Sequence, residues 1–125
     1  MADQVDNSLE ADVFARDCSS RETLQDVTGR WGLLILAALA EGSYRFNALR
    51  RRVDGVSERM LSQTLQNLER DGMLTRTVLE AIPPKVEYEL TPLGREIAER
   101  LHGLIELVQS NMDVVNAARA AYDNQ

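Results

Sequence analysis

A mainly helical domain carrying one small β-hairpin is the fold class that the sequence predicts, and three observations lead there. Apolar residues recur at helical spacing over much of the chain: Trp31, Leu34, Ile35, Ala38 and Leu39, then Leu61, Leu65 and Leu68, then Ile97, Leu101, Leu104 and Val108. After Leu74 the period drops to two, with Val86, Tyr88 and Leu90 alternating with Lys85, Glu87 and Glu89. Turn signals at Gly42, Gly55, Gly72 and the Pro83–Pro84 pair separate these stretches. A length of 125 residues suits one domain.

Taken in order, residues 1–17 are polar and acidic and read as an arm that becomes ordered by docking. Leu24, Val27 and Trp31 predict a first helix from about Ser20, interrupted at Thr28 and Gly29, and the Trp31 to Leu39 stripe predicts a second. Phe46, Leu49 and Val53 predict a short third helix, with Asn47 as its cap, before the tight turn at Asp54 and Gly55. Ser57 is placed to cap the fourth helix, which buries Leu61, Leu65 and Leu68 and stops at Asp71 and Gly72. Trp31 and Met60 sit in apolar stripes and are expected in the core. Leu74 to Glu80 and the alternating stretch after it form a two-stranded hairpin with residues 81–84 at its tip, since adjacent prolines cannot continue a ladder. Thr91 caps, and Pro92 opens, one last long helix. Two helices joined by residues 53–56 make a helix-turn-helix, and the hairpin directly after them makes it winged.

Fourteen basic against twenty acidic side chains give a net charge of −6, which taken alone argues against a nucleic-acid partner. The distribution argues otherwise. Residues 1–29 carry −5 and residues 96–125 carry −3, whereas residues 43–64 hold five arginines against Asp54 and Glu58, for +3. A local concentration of cations is the footprint of a DNA-contacting surface. No apolar run approaches the roughly 18 residues that span a bilayer. Asp3 and Asp6 stand where a secretory signal would need basic residues, so a cytoplasmic protein is expected. One Cys and one His cannot build a structural zinc site, and no phosphate loop or nucleophile set points to an enzyme or a cofactor.

The chain resembles the HxlR family of winged helix-turn-helix regulators, close to the MarR type. The resemblance rests on Cys18, Gly29-Arg30-Trp31 with the apolar run after it, Tyr44 to Leu49, Gly55 to Ser62, Leu68 to Gly72, residues 83–88 and Leu90 to Gly94. It covers about residues 18–110 and leaves both tails outside. It implies a dimeric, sequence-specific, DNA-binding transcriptional regulator; a homodimer on a palindromic operator of double-stranded DNA is expected, acting as a repressor first and an activator as the alternative. The expected organisation is an arm (1–17), a DNA-binding domain (18–95), and a C-terminal dimerisation helix and tail (96–125). Some members sense quinones, aldehydes or oxidants through the N-terminal cysteine, and others have no known inducer. Family members often carry Pro after that cysteine; here Ser19 stands there.

A helix that reads the major groove needs long polar side chains at base edges. Arg59, Ser62, Gln63 and Asn67 meet that need on the fourth helix, with the first amides after Ser57 as a phosphate seat. Arg45, Arg50, Arg51 and Arg52 flank the turn as expected backbone clamps, and Lys85 near the wing tip is expected at a phosphate or in the minor groove. Glu58 runs against this pattern. Cys18 has two readings. Arg16 and Arg21 favour a redox-sensing thiolate and Asp17 opposes it, whereas an inert buried thiol needs none of them. Ile97, Leu101, Leu104 and Val108, continued by Asn111, Met112 and Val115, form a seam that a small domain cannot bury alone, so the helix of a second copy is the expected cover. Packing against the chain's own N-terminal helix is the alternative for part of it. Two other functions compete: a winged-helix module that binds proteins, and a regulator answering to a small molecule without redox chemistry.

Overall fold

The computed structural model describes residues 12–125. Most of the predicted arm therefore lies outside the described residues. The order of elements is α1 (Ser19–Thr28), α2 (Arg30–Leu39), β1 (Tyr44–Arg45), α3 (Phe46–Arg52), α4 (Glu58–Arg70), β2 (Leu74–Glu80), β3 (Lys85–Leu90), α5 (Pro92–Ser110) and α6 (Met112–Asp123). The fold is mainly helical with a small antiparallel sheet, a winged helix-turn-helix. Among the described residues no helix is long and apolar enough to cross a membrane.

The core gathers on α2, whose Ile35, Leu36 and Leu39 are fully enclosed, together with Leu49 of α3, Leu61, Leu65 and Leu68 of α4, and Leu74 of the wing. Helix α1 ends where Gly29 takes an extended conformation and turns the chain into α2. On α4 the buried side chains are Leu61, Thr64, Leu65 and Leu68, and the Thr64 hydroxyl donates back to the Met60 carbonyl at 2.7 Å. The wing is fastened to α5 at one joint. Thr91 donates through Oγ1 to the Gly72 carbonyl at 2.6 Å and accepts from the Gly94 amide at 3.0 Å, while its own amide donates to the Met73 carbonyl. A Cβ on Gly94 would lie 1.8 Å from the Met73 carbonyl oxygen, so only glycine lets helix and chain approach this closely.

Four expectations are corrected. The sheet has three strands in the order β1-β3-β2, because Tyr44 and Arg45 pair with Tyr88 and Glu87; a two-residue strand leaves no alternation to read. For the same reason Arg45, not Asn47, is the N-cap of α3: the chain stays extended in the sheet until Phe46. Met60 is 43% exposed, since it lies off the Leu61–Leu65–Leu68 face. The last helix is two helices. Asn111 (φ −117°) interrupts the run, its Nδ2 donating to the Leu107 carbonyl at 2.8 Å. Trp31, by contrast, is half-buried and packs on the core, with the Arg30 guanidinium 4.5 Å above its ring.

Candidate nucleic-acid interface

The turn between α3 and α4 is pinned by two buried valines, Val53 and Val56, and bent at Gly55, whose φ of +93° suits glycine. Ser57 then caps α4, accepting from the Met60 amide at 3.1 Å. One side of α4 enters the core, and Arg59 and Gln63 project into solvent, with Ser62 and Asn67 half-buried beside them. Gln63 Nε2 donates to Asn67 Oδ1 at 3.2 Å, so these two amides share one face one helical turn apart.

The wing folds back beside α4, and an open groove of about 890 Å³ runs between them. Arg45, Arg51, Ser62 and Lys85 line it, as does Arg76 from β2, with Glu69 the carboxylate among its walls. A hollow beside it, at the turn, is lined by Arg50, Arg51 and Ser57. The structure thus brings together Arg45, Arg50, Arg51, Ser57, Ser62 and Lys85 along one concave surface. Arg76 was missed by sequence reasoning. Alternation marks it as an exposed strand residue, but its approach to α4 follows from the register that sets Arg76 opposite Tyr88.

Arg52 is occupied elsewhere. It forms a bidentate pair with Glu41 at 2.6 and 2.8 Å, and Tyr44 donates its hydroxyl to the same carboxylate at 2.8 Å. The Arg52 bonds, then the Tyr44 bond, hold the Glu41 carboxyl down at about 2. Expected as a clamp, Arg52 instead ties α3 to the end of α2. Glu58 stands 3.9 Å from Arg50, and Lys85 is 3.5 Å from Glu80.

Cys18 is the N-cap of α1 and 5% exposed, its Sγ 2.8 Å from Ser20 Oγ. On the C-terminal helices, Leu101 is buried in the chain's own core and Ile97 is half-buried against it, whereas Leu104 and Val108 are about half exposed and Met112 is half-buried. The chain's own packing on α2 therefore covers the first part of the seam.

The HxlR-like helix-turn-helix model matches residues 26–116, from the end of α1 into α6. The chain belongs to this family. The HTH-type transcriptional regulator YtfH of Escherichia coli (strain K12) is 51% identical over 110 residues, covering 88% of this chain and 87% of that protein. The solved structure of ytfH from Salmonella typhimurium is 50% identical, covers 86% of this chain and 96% of its own, and superposes with a TM-score of 0.81. HypR, a redox regulator, is 37% identical in its reduced form with a TM-score of 0.71, over 76% of this chain and 94% of its own. This HxlR-like chain is accordingly a transcriptional regulator of the HTH type, in a family of DNA-binding proteins that are not enzymes.

Proposed function

We propose that the regulator acts in the cytoplasm as a homodimer on a palindromic operator and represses by occupying it. In this reading α4 lies in the major groove, with Arg59, Ser62, Gln63 and Asn67 at base edges. Arg45, Arg50, Arg51, Arg76 and Lys85 hold phosphates on either side, and the α4 amides after Ser57 receive another. The observation that carries the reading is the groove where Arg45, Arg51, Arg76 and Lys85 meet, in a chain whose net charge is −6. Four cations gathered against that background favour a polyanion. Leu104 and Val108, with Ile97 and Met112 at the margin, supply the face for the second copy; Leu101 backs it from the core. Selection of bound genomic fragments tests the reading. One enriched palindrome is expected, and Arg45→Ala with Arg51→Ala should lose it. No enrichment would favour the protein-binding module instead.

A redox response through Cys18 is the second part of the proposal, supported by the likeness to HypR and by a thiol seated at the start of α1. An oxidant such as diamide takes two electrons and two protons from two Cys18 thiols, one per subunit, and a disulfide forms between them. The competing regulation by a small molecule without redox chemistry has one feature in its favour, an apolar groove of about 660 Å³ between α2 and α5 lined by Leu34, Ala37, Ala38 and Ile105.

A further inference from the structure

Ile82, at the tip of the wing, is 92% exposed, and Val78 and Leu79 on the strand leading to it are about half exposed. Residues 81–84 carry no charge, and Pro83 and Pro84 have no N–H to donate. Lys85, the first charged residue after the tip, stands 3.5 Å from Glu80 and belongs to the groove wall, so the tip itself is uncharged. Ala81, Ile82, Pro83 and Pro84 are consecutive and all exposed, so the tip is an apolar surface beside a cationic groove, which suits a contact.

We propose that Ile82 enters the minor groove of the bound duplex and reads it by shape and deformability, not by charge. The proposal rests on the DNA-binding reading above. Continuity places the partner: Pro84, Lys85 and Val86 line the same groove as Ser62 and Gln66 of α4. A duplex that takes α4 in its major groove therefore brings the neighbouring minor groove to the wing. Residues 81–84 hold no side-chain donor for the adenine N3 and thymine O2 acceptors on the groove floor. They also hold no guanidinium to exploit the negative potential of a narrow A-tract groove. What they hold is an apolar wedge, and such wedges lodge at base steps that unstack readily. Pyrimidine–purine steps unstack most readily, so the wing favours TA or CA steps beneath it and disfavours stiff A-tracts, independently of the bases that α4 reads.

The test uses the full chain and a duplex recovered by the selection described above. Two versions share their half-sites and differ only beneath the wings, one with a TA step and one with an A-tract. Fluorescence anisotropy at fixed salt should show the wild type preferring the TA version by about fivefold. Ile82→Ala should bind both versions alike while still discriminating intact half-sites from scrambled ones, and Ile82→Arg should shift preference toward the A-tract. Indifference of the wild type to the flank, or an Ile82→Ala variant that keeps the preference, overturns the proposal and leaves DNA binding standing. If Ile82→Ala instead changes the oligomeric state in sedimentation without touching the flank preference, the tip is a protein contact and the proposal falls. Failure to enrich any duplex removes the underlying reading and this proposal with it.

Discussion

Arg50, Arg51 and Arg52 follow one another in α3, yet the fold gives them different surroundings. Arg51 lines the groove, Arg50 stands near Glu58, and Arg52 is consumed by Glu41. Successive residues on a helix point about 100° apart, so three in a row cannot share one task. That much was legible in the sequence. Which arginine would be tied down was not, because Glu41 lies eleven residues upstream across a loop and a strand. The difference is measurable. Arg51→Ala should weaken binding to all duplexes alike and lower the slope of log affinity against log salt by about one. Arg52→Ala should leave that slope unchanged. Arg59→Ala and Gln63→Ala should instead relax sequence preference, each contact being worth about 1–3 kcal/mol of discrimination. Equal loss on specific and random duplexes for both variants would move base readout away from α4.

Whole elements were read more securely than their joints. The caps at Ser57 and Thr91, the stops at Gly29 and Gly72, and the strand from Leu74 to Glu80 follow from local chemistry, and the structure has them there. Strand β1 and the break at Asn111 depend on a long-range pairing and on one side-chain hydrogen bond, which periodicity does not register. Two element-scale predictions follow from these joints. Gly94→Ala must move the Met73 backbone aside and should cost about 1–3 kcal/mol, read by urea unfolding. The second concerns Asp71, which closes α4 and faces Asp26 of α1. Burial, then the Asp26 carboxyl, pushes Asp71 up to about 6 from an ordinary 3.8. With both groups ionised, the buried Asp71 Oδ2 has no donor facing it among the described residues. A carboxyl that holds its proton more tightly when folded gives stability that is complete below 3.8 and lost as pH rises through about 6. Glu41 acts in the opposite sense, its contribution fading as pH falls below 4.5 toward about 2. Thermal melts should therefore peak between 3.8 and 4.5 and decline from there toward about 6. Asp71→Asn should remove the decline on the neutral side, and a flat wild-type profile there would exclude the carboxyl pair as its source.

At the scale of the molecule, the predicted behaviour is that of a two-fold dimer. Leu104 and Val108 leave apolar surface on α5 that the described chain does not cover. Leu104→Glu should give monomers in sedimentation at micromolar concentration and abolish operator binding while the domain stays folded. The footprint should span two half-sites about one helical turn, ~10 bp, or a multiple of it, apart. A wild-type monomer protecting a single half-site would refute the dimer. Diamide should release the wild type from DNA, and Cys18→Ser should bind the same operator and stay bound. Because Cys18 is 5% exposed, reaction requires the start of α1 to open, so release should be slow and should quicken under mild denaturant. Equal release of both proteins would return Cys18 to a packing role. The outline of helix, turn, helix and wing was legible in the sequence because it is written in local periodicity. The concave surface was legible only in part, since Arg76 reaches it through strand register.

Tyr44 belongs to two assemblies at once. Its backbone pairs with Tyr88 in the wing sheet, and its hydroxyl joins the Glu41–Arg52 clamp that binds the end of α2 to α3. The wing, the turn and the central helix are in effect riveted through one side chain and two strand residues. These contacts tie the wing, α3 and the end of α2 to one another, so a change at one of them is felt by the surface offered to a duplex. Loosening the rivet with Tyr44→Phe should therefore blur the spacing rule between half-sites, so that duplexes with one base pair added or removed at the centre are bound nearly as well as the selected one.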